Sequence, residues 1–169
     1  MLTAKSAENF GAVCKAIRHG VKMLKSEGSA ECAAIEKPAS ERPSVDQWLR
    51  EAKQHPDAGK VGMYLTHNGV VRATARAQVR ENDLDARPVT GMRFSYDAKK
   101  TEAAAAEARK MEGVYYVRVW MNEGTLRVGD DIMLVLIGAD IRLHALRALE
   151  SLVHTLKTEC VTETELRDC

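Results

Sequence analysis

The 169-residue chain contains only four cysteines, and they occur in none of the spacings that bind metals or build disulfide frameworks. Cys14, Cys32, Cys160 and Cys169 include no Cys-x-x-Cys pair, and no histidine pair lies at zinc-finger distance from them. An uninterrupted apolar segment typical of a signal peptide is also missing, which disfavours a secreted disulfide scaffold. We therefore expect free thiols in a reducing compartment, no bound metal and a cytoplasmic location.

Long apolar runs and an excess of charge of one sign are missing as well. No apolar stretch approaches the roughly 18–20 residues of a membrane span. The 25 basic and 24 acidic residues give a formal net charge of +1, which provides no global field for nucleic acid or an anionic membrane. HExxH, Ser-His-Asp and glycine-rich phosphate-binding motifs are also absent. We expect no nucleic-acid partner, no membrane partner and no cofactor, so any anion must bind in a local pocket.

Length and composition fit one globular domain behind an N-terminal extension. The chain is 45% hydrophobic and 29% charged, which is typical of a soluble domain with its own core. Residues 8–25 have the spacing of a basic amphipathic helix, for which membrane contact or a transit peptide is the alternative to a docked extension. Residues 26–43 have a linker composition. We divide the chain into an extension at 1–43 and a domain at 44–169.

Strand-like sequences recur along the domain, and the last is central. The predicted strands are 61–66, 91–96, 114–121 and 131–138. The segment 131–138 is almost continuously apolar, as expected for a strand covered on both faces. Asn68-Gly69 predicts a turn after the first strand, because both residues tolerate positive φ. His67 is then interpreted as an exposed turn residue, with a polar contact to Arg72 as the alternative.

Three helices are predicted between and after these strands. The first begins at Ser44 with a capping-box sequence and ends at Pro56. The second follows the N-cap Asp97, and the third follows the N-cap Asp140. With a further short strand at the end, this order predicts an α+β fold, a sandwich of helices packed on a mixed or antiparallel sheet.

The last predicted helix carries one cation near each end. The apolar row expected to pack on the sheet comprises Leu146, Leu149, Val153 and Leu156. Arg142 lies one turn before this row, and Lys157 lies at its far end. Both residues also have a purely structural interpretation. The stem of Arg142 can cover apolar surface, and Lys157 can stabilise the negative end of the helix dipole.

Helix length limits what these two cations can do together. Fifteen residues at 1.5 Å each separate them by about 22 Å, which is too far to hold one small ligand within a single protomer. If both serve one pocket, a second subunit must contribute one of them. This spacing motivates the hypothesis of a two-fold dimer with composite sites.

Several short motifs make residues 44–166 resemble the large subunit of molybdopterin synthase. They are Gly69-Val70-Val71-Arg72, Gly124 followed by Val128-Gly129-Asp130, Arg142 at the start of the last helix, and Leu156-Lys157-Thr158 at its end. The resemblance implies an α/β-hammerhead homodimer with a small ubiquitin-like sulfur-carrier subunit at each end. The carrier's C-terminal Gly-Gly, as a thiocarboxylate, enters a pocket of the large subunit. Sulfur is transferred to a cyclic pterin monophosphate, which forms the dithiolene that later binds molybdenum or tungsten.

The resemblance also assigns roles to individual residues. Val71, Arg72 and Arg142 correspond to substrate-binding positions, and a fixed guanidinium suits a phosphate because its donors are fork-like. Lys157 corresponds to the catalytic position, where an ammonium polarises the thiocarboxylate and stabilises charge during acyl transfer.

Two positions depart from the family pattern. Ile141 stands where the family has a histidine before the helix-opening arginine, and Thr164 stands where spacing places a second active-site lysine. The charges beside Thr164 are acidic. Three interpretations follow: a divergent synthase subunit, a non-catalytic dimeric binding protein that retains the carrier-tail groove, and an unrelated α+β domain with a similar pattern.

Overall fold

A computed structural model describes residues 41–167, so the predicted helix at 8–25 and all but the end of the predicted linker lie outside the described residues. The helices are α1 (Val45–Ala52), α2 (Arg76–Arg80), α3 (Ala98–Arg109) and α4 (Arg142–Thr155). The strands are β1 (Met63–Val70), β2 (Gly91–Tyr96), β3 (Val114–Met121), β4 (Gly124–Arg127), β5 (Asp131–Ala139) and β6 (Val161–Leu166). A 3-10 turn (Ala58–Lys60) precedes β1, and a π-helical turn (Leu156–Cys160) links α4 to β6.

The first sheet has the order β1-β5-β3, and both pairings are antiparallel. Its central strand is β5, as the apolar run predicts. Because side chains alternate along a strand, β5 contributes residues to two hydrophobic clusters, one on each face of the sheet. Leu134 and Leu136 pack with Trp48 of α1 on one face, whereas the odd-numbered residues, including Val135, pack toward α3 and α4 on the other. Burial on both faces explains why the β5 sequence contains almost no polar residue.

The second sheet has the order β4-β2-β6 and is also antiparallel. Phe94 of β2 and Leu126 of β4 are each 1% exposed and join the core beneath α3 and α4. β4 is only four residues long and was not predicted, since its sequence has no strand periodicity. The α+β prediction is confirmed, and residues 41–167 form two antiparallel sheets of three strands each instead of one sheet.

Two of the predicted helix starts are confirmed and one is wrong. Ser44 Oγ accepts a hydrogen bond from the Gln47 N–H at 3.3 Å, and Asp97 accepts from two N–H groups of α3. At α4 the N-cap position belongs to Ile141, whose side chain cannot cap. Asp140 instead accepts from the Ile141 N–H at 2.6 Å and lies 2.7 Å from His144 Nδ1, so its carboxylate supports the helix from one residue further out.

The predicted apolar row of α4 is only partly correct, because Leu156 is buried and Leu149 packs against the core but Leu146 does not. The residues buried against the sheet are Ala145, Ala148, Leu152 and Leu156, whereas Leu146 is 48% exposed. Alanines on the inner face let the helix backbone approach β5 closely. Leu146 is too large for this close contact and therefore lies on the flank of the helix. The prediction failed there because it ranked residues by hydrophobicity and not by size.

The predicted Asn68-Gly69 turn is also wrong, because β1 continues through both residues to Val70. Asn68 pairs with Leu134 in the β5 register, and its side-chain Nδ2 donates to Asp131 Oδ1 at 2.7 Å. The long partner strand thus overrides the local turn preference. The pairing becomes irregular only between Gly69 and Val70.

Candidate functional site

A pocket of about 480 Å³ opens where β1 ends, beside α2, β6 and the π-helical turn. Its lining residues are Val70, Arg72, Arg76, Val79, Arg80, Met92, Ile132, Lys157, Glu163, Thr164, Glu165 and Arg167. Five of these side chains are cationic and two are acidic. The pocket therefore offers the local positive charge that the nearly neutral chain lacks as a whole.

Arg72 reaches this pocket because two separate sequence motifs are hydrogen-bonded to each other. The Val71 N–H donates to the Asp130 carbonyl at 2.9 Å, and the Gly129 N–H donates to the Val71 carbonyl at 2.8 Å. Gly129 has φ +94°, which a glycine adopts without strain. The turn between β4 and β5 thus fixes the backbone next to Arg72.

The two predicted site residues of this segment have different surroundings. Val71 is 2% exposed and belongs to the core, so it does not line the pocket. Arg72 is exposed and lines it, and its Nε donates to the Thr74 carbonyl at 3.0 Å. That bond holds the guanidinium and leaves its terminal nitrogens for a ligand.

Lys157 lines the same pocket from the π-helical turn that follows α4. The side chain is exposed. Leu156 and Cys160 anchor the turn in the core. Single π turns within helices are frequent at functional sites, because they redirect side chains that a continuous α-helix would place elsewhere. The structure therefore brings Arg72 and Lys157 together within one protomer.

His67 is a residue of β1 and does not lie in an exposed turn. Its imidazole is close enough to Lys157 to feel the charge of the ammonium. His67 pairs with Val135, on the sheet face that carries Met63 and Leu65 into the core. Burial of the imidazole, and secondarily the positive charge of Lys157, lower the pKa of His67 below its usual value. A neutral imidazole beside Lys157 is the result at neutral pH.

The acidic residues of β6 bind arginines. Glu163 Oε1 lies 3.1 Å from Arg76 Nη2, and Glu165 Oε1 accepts from the Arg76 N–H at 2.8 Å. Arg167 Nη2 donates to the other oxygen of Glu165 at 2.8 Å. Burial raises the pKa of Glu165, but the hydrogen bonds from Arg167 and Arg76 outweigh it and lower the pKa below its usual value.

Three cations of the pocket were missed by sequence reasoning: Arg76, Arg80 and Arg167. The signal for two of them was present, since Arg76 and Arg80 have the i,i+4 spacing of one helix face. α2 contains only five residues, which is too short to show helical periodicity.

Arg142 does not line this pocket. It is exposed at the first position of α4, next to the exposed Ile141. The fourteen residues of α4 span about 21 Å, so Arg142 lies at the far end of the helix from Lys157.

Within the described residues, neither a cluster of metal ligands nor a membrane-spanning helix is found. No group of three or more His, Cys, Asp or Glu side chains is arranged to hold a metal within residues 41–167. None of the helices described is long and apolar enough to cross a membrane. Cys160, the described cysteine, is a buried free thiol whose pKa is raised by burial.

Fold and pocket together define an α+β domain with a small pocket that is lined mainly by cations. A protein-family model described as MoaE protein matches residues 39–159. The chain therefore belongs to the MoaE family of molybdenum cofactor biosynthesis, which confirms the resemblance to molybdopterin synthase large subunits. β6, with its acidic residues, lies beyond the matched range.

Solved structures support the fold. Molybdopterin synthase from Staphylococcus aureus is 17% identical, with a TM-score of 0.58 over 75% of this chain and 86% of that one. The molybdopterin biosynthesis MoaE protein from Burkholderia ambifaria is 23% identical, with a TM-score of 0.56 over 76% of this chain and 83% of that one. A chain in a complex of subunits 1 and 2 of molybdopterin-converting factor from Helicobacter pylori is 18% identical, with a TM-score of 0.50 over 73% of this chain and 80% of that one. No curated protein sequence matches the chain significantly.

Proposed function

We propose that the chain is a large subunit of molybdopterin synthase, which transfers sulfur from the C-terminal thiocarboxylate of a small carrier to a cyclic pterin monophosphate. The observation that carries this proposal is the meeting of Arg72 and Lys157 in one pocket of a MoaE-family fold. The guanidinium of Arg72 suits the phosphate, and the ammonium of Lys157 suits the charge that develops on the thiocarboxylate during transfer.

The proposed partner is a small ubiquitin-like carrier that ends in Gly-Gly. A structural neighbour from Helicobacter pylori is described as a complex of two subunits of molybdopterin-converting factor, which supports a two-subunit assembly here. An extended Gly-Gly tail lacks side chains, so it can lie close to the apolar lining residues Val70 and Met92.

A homodimer completes the site in this proposal, giving a heterotetramer with two carriers. Arg142 lies outside the pocket of its own protomer, and exposed apolar side chains surround it. Ile141, Leu143 and Leu146 are 51%, 49% and 48% exposed, respectively. Burying this patch against a second copy would remove apolar surface from water and bring Arg142 toward the partner's pocket.

A non-catalytic binding protein is the second candidate. Thr164 lies in the pocket where the family pattern has a lysine, between Glu163 and Glu165. Each lost charged hydrogen bond weakens anion binding by about 1.5–3 kcal/mol. A chain with this pocket can retain the carrier-tail groove and the dimer without transferring sulfur.

Reconstitution with a thiocarboxylated carrier and the cyclic pterin substrate distinguishes the two candidates, with dithiolene product as the readout. Lys157→Ala should lower the rate by at least about 100-fold, because it removes a group that stabilises transition-state charge. Lys53→Ala, which alters an exposed lysine outside the pocket, is the matched control. Circular dichroism and sedimentation should show that both variants remain folded. Carrier binding without product by the unaltered chain would favour the binding protein, and full activity of Lys157→Ala would refute its catalytic role.

A further inference from the structure

The five cations of the pocket differ in how far the protein itself satisfies their charge. Arg72 donates to a backbone carbonyl, and Arg76 and Arg167 form ion pairs with carboxylates of β6. Arg80 and Lys157 form no ion pair and no side-chain hydrogen bond within residues 41–167. A guanidinium with all five donors unused is suited to a phosphate, since it can bind two oxygens at once.

The neighbouring contacts of Arg76 fix the short helix that carries Arg80. Arg76 is fixed at both its side chain and its backbone N–H by Glu163 and Glu165, over 3.1 and 2.8 Å. Arg80 follows four residues later and therefore lies on the same face of α2, one turn further along. Arg76 thus binds the short helix to the acidic strand, while Arg80 lines the pocket without an ion-pair partner among residues 41–167.

We propose that Arg80 binds the anionic phosphate group of the substrate and supplies, together with Arg72 and Lys157, the positive charge that is available to a ligand. This inference rests on the proposed function only for the class of substrate, a phosphate ester. Glu163 and Glu165 are positioning residues in this arrangement, because they act through Arg76. Their charges are already balanced by arginines, so they do not reverse the sign of the pocket.

Titration with inorganic phosphate, followed by amide chemical shifts, tests the proposal without requiring sulfur transfer. Arg80→Gln should weaken phosphate binding by about 10- to 100-fold, the equivalent of one charged hydrogen-bonding partner. Arg147→Gln removes an exposed arginine of α4 that does not line the pocket, and should leave binding unchanged. Unchanged thermal unfolding of Arg80→Gln should accompany the loss, because the side chain has no ion-pair or hydrogen-bond partner within residues 41–167.

Moving the charge provides a second test. Thr164 is an exposed residue on the β6 wall of the same pocket, so Thr164→Lys places a cation opposite α2. Arg80→Gln should make the free energy of phosphate binding less favourable. The double variant Arg80→Gln, Thr164→Lys should restore at least about a third of that lost binding free energy. A peptide ending in Gly-Gly, titrated in parallel, should bind Arg80→Gln within about threefold of the unaltered chain.

Each outcome bears on the proposal. Phosphate binding that is absent in the unaltered chain, retained in Arg80→Gln, or lost equally in Arg147→Gln would overturn it. A loss of peptide binding as large as that of phosphate would assign Arg80 to the carrier tail instead. Arg80-dependent phosphate binding without any dithiolene product would leave this inference standing while the proposed sulfur transfer failed.

Discussion

His67 is a strand residue whose imidazole is partly withdrawn from water beside the ammonium of Lys157. Burial and this neighbouring charge both oppose protonation, so the pKa of His67 is lowered from the ordinary 6.5. Between the lowered value and 6.5 the unfolded chain binds more protons than the folded chain. The free energy of unfolding therefore rises with pH through that interval, and stability is lost as the pH falls below about 6.5.

His67→Gln should flatten this part of the stability profile, because glutamine does not titrate. Urea unfolding at pH 5.5 and 7.5 measures the effect, and the difference between the two pH values should be smaller in the variant than in the unaltered chain. His154→Gln, at an exposed position of α4, should retain the full difference. Equal pH dependence in both variants would show that His67 is not the group responsible.

Individual site residues were predictable to different degrees. The resemblance identified Arg72 and Lys157, and the fold brings both to one pocket from residues 85 positions apart. Arg80 could not be identified in the same way. Its importance depends on which arginines the β6 carboxylates already bind, and pairings between distant segments are not encoded in local periodicity.

At the scale of elements, α4 shows why helical faces are harder to predict than helices. The helix itself was predicted from its apolar spacing, but its inner face is built from Ala145, Ala148 and Leu152. Close approach to β5 selects small side chains there, and hydrophobicity scales do not express that requirement. The strands of the second sheet were partly missed for another reason, since β4 is too short for alternation to be visible.

Leu152→Ala and Leu146→Ala test this assignment of the α4 faces. Leu152 is 2% exposed, so its truncation should lower the free energy of unfolding by about 2–5 kcal/mol, through lost burial and a cavity. Leu146→Ala should cost at most about 0.5 kcal/mol in dilute protein, where protomer unfolding is not coupled to dimer dissociation. Denaturant unfolding measures both. A larger loss of stability in Leu146→Ala than in Leu152→Ala would contradict this assignment and favour the face that contains Leu146.

At the scale of the whole molecule, the distance between the two ends of α4 makes the proposed site a property of two chains. Arg142→Ala and Lys157→Ala should each be inactive or weakly active alone. Random mixing places an intact Arg142 from one chain beside an intact Lys157 from the other in half of the dimers. Since such a dimer has one complete pocket of two, the mixture should recover about one quarter of the unaltered activity.

A matched mixture provides the control for this complementation. Arg72 and Lys157 line one pocket of one protomer, so mixing Arg72→Ala with Lys157→Ala creates no complete pocket and should recover nothing. Dithiolene formation after subunit exchange is the measurement, and exchange itself is followed with differently tagged chains. If exchange occurs and neither mixture recovers activity, Arg142 does not contribute to the partner's pocket.

The segment that carries α2, with Arg76 and Arg80, is joined to the two sheets in a way that allows its sequence to vary independently of theirs. Val89 N–H donates to the Ala73 carbonyl at 2.8 Å, so the stretch of chain that carries α2 is closed at its base by a backbone bond. Segments closed in this way tolerate changes of length and sequence at little cost to the core. Residues 74–88 can therefore vary in length and sequence more readily than the strands, provided that the buried Ala75 is kept. Transplanting the corresponding segment between family members should change the contribution of Arg76 and Arg80 to anion binding without rebuilding the sheets beneath it.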